Sequence, residues 1–415
     1  MELENVVAVN IQRLMEKNHL TQNELGDYLH LSRQTVSKYL KGKTTFDTVQ
    51  LIKLAHLFRV PVEQLLAEGK GSEIKVYYRP TNLDGQYSCD KKEFIRAYIK
   101  KYVEISERVG DYSTFTPEQY DLYASIKGER ININRELGNI ISQKETLDDR
   151  IKEEILAIAD EQRLILALND VASIALIPAL EKKGIRIVFL DFECNDISGA
   201  SVCSETYGCF IFVNSNEAIT IERQLYTVAH EYGHILLHRS LYNSEFIDVN
   251  NEFYTNYLDH MANQFASRLV LPPALYYKYT IELSKGANDL NLILPVAMQI
   301  KQQARLSLQS VMLNLRDNGY ITKAVVDEYY DLLDALGARS VEPAPIKDER
   351  DVLDEFKRKR NANVFALVTK AFRGGNINEA DVALLCGITQ EEAKTILSSL
   401  REGQQKVDDF FVVKK

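Results

Sequence analysis

The sequence predicts a mainly helical protein with one small mixed α/β domain, and three observations carry that expectation. Apolar residues recur at helical spacing through residues 5–66, through about 90–182, and again from 275 onward. Between the later two blocks stand two short runs rich in β-branched and aromatic residues, "GIRIVFLDF" and "CFIFVN", bounded by "NDISGA" and "NSNE". The first block is punctuated by Thr21, Ser32 and Pro61, each placed where a helix must start.

At 415 residues the chain is expected to form about two to four domains. With 45% hydrophobic and 26% charged residues, and only 9 Pro and 19 Gly, it can bury substantial cores and is not disordered as a whole. No apolar run approaches the roughly 18–20 residues of a membrane span, so no membrane partner is expected. The opening "MELENVVAVNIQRLMEKN" carries acids where an export signal carries bases. The cysteines, Cys89, Cys194, Cys203, Cys209 and Cys386, are odd in number and nowhere spaced as C-x-x-C. Neither a disulfide framework nor a zinc knuckle is therefore expected, and a reducing cytoplasm is the expected setting. The net charge of −9 excludes general nucleic-acid coating, but it is unevenly spread. Residues 1–66 carry 8 Lys/Arg and 7 Asp/Glu, and "SRQTVSKYLKGK" (32–43) holds four bases and no acid. That is a basic patch on an acidic protein.

Residues 1–68 are expected to form a first domain of five short helices. "NVVAVNIQRLMEKNHL" places Val6, Val9, Ile11 and Leu14 at helical spacing. Thr21 and Glu24 form a capping box for the second helix, Ser32 opens the third, and Pro61 opens the last. Only about two residues separate the second and third helices, the spacing of a helix-turn-helix. The third helix presents Arg33, Gln34, Ser37 and Lys38, side chains that reach guanine, adenine or phosphate in a major groove. Thr21, Gln22, Leu25, Leu29, Leu31, Ser32, Val36, Ser37, Tyr39, Gly42 and Lys43 together resemble the Xre/Cro-like helix-turn-helix family over about 60 residues. The chain departs from that family at Gly26, usually alanine, and at Leu40, usually an acid. The resemblance implies a double-stranded DNA operator as partner. It also implies Gln22 on phosphate, Arg33, Gln34 and Lys38 toward bases, Ser37 and Lys43 beside them, and a homodimer on palindromic half-sites.

Residues 69–169 read as a helical scaffold, with amphipathic runs "KKEFIRAYIKKYVEISERV" and "DDRIKEEILAIADEQRLILALND". After the two strand runs comes "TIERQLYTVAHEYGHILLHRS", in which residues 230–234 read H-E-x-x-H. Four residues advance a helix by about 40° net, so His230 and His234 share a face one turn apart and can hold a zinc ion through ring nitrogens. Glu231, beside the first histidine, can take a proton from water. His238 lies about 12 Å along the axis from His230, too far to share its ion, and is expected as a bystander or as a support behind a ligand.

"NYLDHMANQFASRLVLPP" reads as a further helix, with Ala262, Phe265, Ala266 and Leu269 on one face and Pro272 at its end. Together with "LEKKGIRIV", "ISG", "IFVN" and "AHEYGHILLH", it resembles the ImmA/IrrE-type metallopeptidases, closely over about 170–275. The likeness extends more weakly over the whole chain, because many members carry an Xre-type domain in front. It implies a zincin-like core over 170–275 and a bound zinc ion, with manganese as the alternative. It also implies a third metal ligand on this helix, a glutamate thirteen residues before the closing proline. Here Asp259 stands at that place, and it is favoured over His260 and Glu252. Aspartate is one methylene shorter, so its helix must sit closer to the metal. Asn263, one turn on, shares its face and can support a ligand histidine. Tyr254 and Tyr257 are candidate donors to an oxyanion.

Beyond the core, residues 276–337 form a helical extension with a helix-turn-helix cadence in "ILPVAMQIKQQARLSLQSVMLNLRDNGYI". "ARSVEPAPIKDERD" (338–351) is the expected linker, and 338–415 the C-terminal helical module, with two helices around "CGIT". That module can bind DNA, a partner or the substrate. "KRKR" (357–360) reads as a solvated helix face. Both resemblances together imply a cytoplasmic, bacterial or phage-encoded transcription regulator with a zinc endopeptidase domain. Its expected substrate is a repressor or other regulatory protein, cut in a stress or induction response. The competing expectation is a one-component regulator whose metallopeptidase-like domain senses metal or a small ligand without proteolysis.

Overall fold

The structure is a computed structural model that describes residues 7–8, 10–12, 14–15, 20–58, 62–66, 85–111, 116–126, 129–133, 149–168, 173–195, 197–204, 206–243, 252–280, 286–339 and 341–401. Of these, residues 63–64, 85–92, 124–126, 129–131, 242–243 and 252–255 are described by their backbone alone. The chain divides into two compact units, Met1–Ile74 and Lys75–Lys415.

The first unit packs α1 (described at 7–8, 10–12 and 14–15), α2 (Gln22–Leu29), α3 (Arg33–Leu40), α4 (Thr48–Phe58) and α5 (Val62–Leu66) around Ile11, Leu25, Val36, Leu54 and Leu65. The capping box forms: the Thr21 N–H donates to the Glu24 carboxylate at 2.8 Å, and the Glu24 N–H to Thr21 Oγ1 at 3.3 Å. The Thr21 N–H, and the Thr21 hydroxyl donating to the same carboxylate at 2.7 Å, hold the Glu24 carboxyl below its ordinary value. Helix α2 ends on His30 in the left-handed region (φ 58°), Leu31 passes on, and Ser32 caps α3 by accepting the Thr35 N–H at 3.2 Å. The departure at Gly26 has a steric reason. A Cβ there would stand 2.7 Å from the Leu31 carbonyl oxygen, so this tight turn leaves no room for alanine.

The second unit opens with α6 (Gly85–Arg108), the hairpin β1 (Tyr123–Ile126) and β2 (Glu129–Asn132), α7 (Asp149–Ile165) and α8 (Ser173–Lys182). Strands β3 (Arg186–Leu190), β4 (Gly199–Ser204) and β5 (Gly208–Asn214) form a sheet of order β3-β5-β4, with β3 parallel and β4 antiparallel to β5. Then follow α9 (Ile221–Leu237), α10 (Glu252–Val270), α11 (Pro273–Thr280), α12 (Leu290–Ala304), α13 (Leu308–Asp317), α14 (Lys323–Ala335), α15 (Arg350–Lys359), α16 (Ala362–Arg373), α17 (Glu379–Cys386) and α18 (Gln390–Arg401). The fold is mainly helical with one small mixed sheet, as expected. Phe210 and Phe212 of β5 meet Tyr102 and Tyr98 of α6 edge-on, at 5.4 Å each. Ile211 and Val213, on the other face, share a core with Leu225 and Val228 of α9. Burial on both faces explains why these strands read as unbroken apolar runs. Among the described residues no helix is long and apolar enough to cross a membrane.

Two expectations need correction. The stretch 90–182 is not helical throughout: residues 116–122 lie in neither helix nor strand, and Tyr123–Ile126 pairs antiparallel with Glu129–Asn132. Residues 341–349 do not behave as a linker. Buried Lys301 of α12 needs acceptors, and this strap supplies them through the Ala344 carbonyl (3.0 Å) and Glu342 (3.4 Å), beside Glu222 of α9 (3.2 Å). Ile346, buried at 1% exposure, anchors the strap, and its N–H donates to Glu222 at 2.8 Å. Cys203 and Cys209, unmarked by any sequence spacing, stand opposite each other in the β4–β5 ladder, Cα atoms 4.1 Å apart. Counting cysteines and seeking C-x-x-C cannot reveal cross-strand neighbours.

Further on, Asn361 closes the outer edge of β3. Its Oδ1 accepts the Phe189 N–H at 2.7 Å and its Nδ2 donates to the Phe189 carbonyl at 2.8 Å. The α2–α3 turn also recurs twice. Arg305 (φ 59°), Leu306 and Ser307 join α12 to α13, and Gly387 (φ 63°), Ile388 and Thr389 join α17 to α18.

Removing the Lys301 amine leaves the buried Glu222 and the partly buried Glu342 without their cation. Lys301→Ala is therefore expected to cost about 3–5 kcal/mol in urea unfolding of the full chain. Arg339→Ala, which removes an exposed pair with Asp334, should cost under about 1 kcal/mol.

Candidate functional site

Helix α9 starts where Thr220 accepts the Arg223 N–H at 3.3 Å, and it runs antiparallel to α10. The two helices come close because their facing residues are small. A Cβ on Gly233 would stand 3.0 Å from Phe265 Cδ1 and 3.4 Å from the Ala262 backbone. This closeness lets the short Asp259 reach the histidines of α9. His230 Nε2 and His234 Nε2 lie 3.0 Å apart, and Asp259 Oδ1 lies 3.3 Å from His234 Nε2 and 3.9 Å from His230 Nε2. Among the described residues, these three form the cluster whose ligand atoms all fall within 4.8 Å of one another. Tetrahedral zinc with bonds of about 2.0–2.1 Å needs donors roughly 3.3 Å apart, so two imidazoles and a carboxylate at these spacings fit the ion. His260, the rival ligand, is exposed and stands outside the cluster. The side chains of Glu252 and Tyr254 lie outside the described residues, and Tyr257 is buried.

The ring nitrogens turned away from the cluster are also held. His230 Nδ1 lies 2.9 Å from Asn263 Oδ1, an acceptor, so Nδ1 carries the proton and Nε2 keeps its lone pair. The Tyr226 hydroxyl sits 3.3 Å from the same Oδ1 and 3.2 Å from the Asn263 carbonyl. His234 Nδ1 lies 2.9 Å from His238 Nδ1. Burial pushes the His238 imidazolium well below its ordinary pKa, so this ring is neutral and can accept the His234 proton. Glu231 is 6% exposed, and burial raises its pKa to about 7, against lowering by His234 and by the Ser201 hydroxyl. Sequence reasoning missed Ser201 and Tyr226. Tyr226 was findable, standing four residues before His230 on the same helical face, whereas nothing local marks Ser201.

Residues 180–315 match the family model of the IrrE N-terminal-like domain, an M78 peptidase type, and residues 11–65 match that of the helix-turn-helix. The chain is a fusion of these two domain types. No curated protein matches it. The IrrE-type match takes in the whole His230, His234 and Asp259 cluster.

The helix-turn-helix is a double-stranded DNA-binding domain. In it Arg33, Gln34 and Lys38 of α3 and Lys43 just beyond are exposed, while Ser37 and Gln22, the first residue of α2, are partly buried. Helix α3 thus turns Val36 and Leu40 inward and presents a polar, basic outer face. The related turns of the second unit lack that face. At the places of Arg33 and Ser37, α13 has Leu308 and Met312, both buried, and α18 has an acid, Glu391, at the place of Gln34.

Asn263→Ala is expected to weaken zinc binding about 10–100-fold in a chelator competition, with His260→Ala unchanged. Arg33→Ala should cost about 1–3 kcal/mol of operator affinity and relax base preference, whereas Gln22→Ala should weaken all sequences alike, as measured by gel shift across salt.

Proposed function

We propose that this chain is a transcription regulator that binds operator DNA as a homodimer and carries a zinc-dependent endopeptidase in its IrrE-type domain. The substrate is a repressor or other regulatory protein, cut in a stress or induction response in the cytoplasm. The observation that carries the reading is the closed His230, His234 and Asp259 cluster with a carboxylic acid, Glu231, next to it in the chain and poised near neutral pH. A site that only held the fold together would need no such group.

In this reading His230, His234 and Asp259 hold the ion, and Asn263 and His238 fix the two imidazoles behind it. The donor set suits zinc better than manganese, which prefers oxygen ligands. When bound, zinc supplies Lewis-acid polarisation of the scissile carbonyl. Glu231 accepts a proton from the attacking water at a carboxylate oxygen and returns it to the departing amine. The DNA face places Gln22 and Lys43 on phosphate and Arg33, Gln34, Ser37 and Lys38 toward base edges. A sensor without proteolysis is the second reading, and the burial of His234 and Asp259 favours it to the extent that it limits access to the site.

The test compares new protein N-termini in cells that make wild type or Glu231→Gln, with and without stress. The expected result is a set of termini concentrated in one regulator, present with wild type and absent with Glu231→Gln. Equal termini in both would discard the peptidase in favour of the sensor.

A further inference from the structure

A general base acts well only when its carboxylate is aimed, and Glu231 is aimed by a strand. Ser201 of β4 is fully buried, and its hydroxyl donates to Glu231 Oε2 at 2.6 Å. A short bond from a neutral donor to a carboxylate is of the stronger kind and fixes the acceptor's rotamer. Strand alternation puts Gly199, Ser201 and Cys203 on the face turned toward α9. At Gly199 a Cβ would stand 2.4 Å from Thr227 Cγ2, 2.8 Å from the Phe212 carbonyl oxygen and 3.5 Å from Glu231 Cγ. Strand and helix therefore approach more closely than any side chain at 199 allows. That approach brings the serine two residues later within a hydrogen bond of Glu231.

We infer that Ser201 is a positioning residue for Glu231, holding Oε2 so that Oε1 is left to receive the proton of the attacking water. Gly199 and Ser201 together form its seat. The inference rests on the peptidase reading above, because without a reaction there is nothing to aim. It differs from a mere packing role in one respect: the benefit of the hydroxyl must pass through the Glu231 carboxylate.

The test uses the full-length, zinc-loaded protein and acetohydroxamate, a zinc-chelating probe that shares a proton with a neighbouring general base. Zinc affinity is read by chelator competition and probe affinity by calorimetry. Ser201→Ala is expected to keep zinc affinity within about twofold of wild type, because its hydroxyl donates to Glu231, which is not one of the candidate ligands, and to weaken the probe about tenfold. Ser201→Thr, which keeps the hydroxyl, should restore probe affinity. Ser201→Cys, near in size but a weak donor, should fall between and stands in should threonine overpack the site. In a Glu231→Gln background, Ser201→Ala should have no further effect. Unchanged probe affinity in Ser201→Ala, or an equal loss in the Glu231→Gln background, would overturn the inference alone. A wild type that binds neither zinc nor probe would overturn the peptidase reading and the inference with it, and that failure shows before any variant is made.

Discussion

Where α9 crosses α10, Gly233 has no side chain and Ala262 has a single carbon beyond its backbone, and this pair sets the separation of the two helices. The cluster depends on that separation. An aspartate carries its carboxylate one methylene nearer its own helix than a glutamate does, so it meets His230 and His234 only across a narrow gap. The same gap lets Asn263 reach His230 from behind and lets Tyr226 reach Asn263. Tyr232 packs edge-on against Phe265 on the flank, which keeps the helices from rolling. A wider crossing would undo all of these contacts together.

The second unit is built around this crossing in layers that do not separate easily. The sheet lies between α6 on one face and α9 on the other, and its central strand β5 contributes aromatic residues to the first and aliphatic residues to the second. Lys301 then ties the first turn of α9 to α12 and to the strap at 341–349. Such a buried ion group specifies where the strap goes more than it adds net stability. Arg305, paired with Glu349, repeats the tie one turn later.

What the sequence revealed follows the range of the interactions. The spacing of His230 and His234, the capping box at Thr21 and the polar face of α3 are local, set by a few residues along one helix, and could be read directly. Its place before Pro272 favours Asp259 over His260, but the rotation of α10 that brings Asp259 into the cluster and leaves His260 outside it rests on the distant packing of Gly233 against Ala262. Ser201 joins Glu231 from 30 residues away across a strand-to-helix contact, with no pattern to mark it. The prolines of 338–351 read as a linker, because composition cannot show that a lysine buried 43 residues upstream needs the Ala344 carbonyl. Turn geometry alone also misleads. His30, Arg305 and Gly387 cap three nearly identical turns, yet only the first leads into a helix with a basic outer face.

Asn361 carries a consequence for the rim of the sheet. A parallel strand at the rim of a small sheet offers unpaired amide and carbonyl groups, the usual starting point for edge-to-edge aggregation. Here one amide side chain occupies both polar groups of Phe189, midway along β3, in place of a further strand. The C-terminal helices, which look expendable from composition, thus enter through Asn361 where a further strand would otherwise pair. They are fastened to that rim.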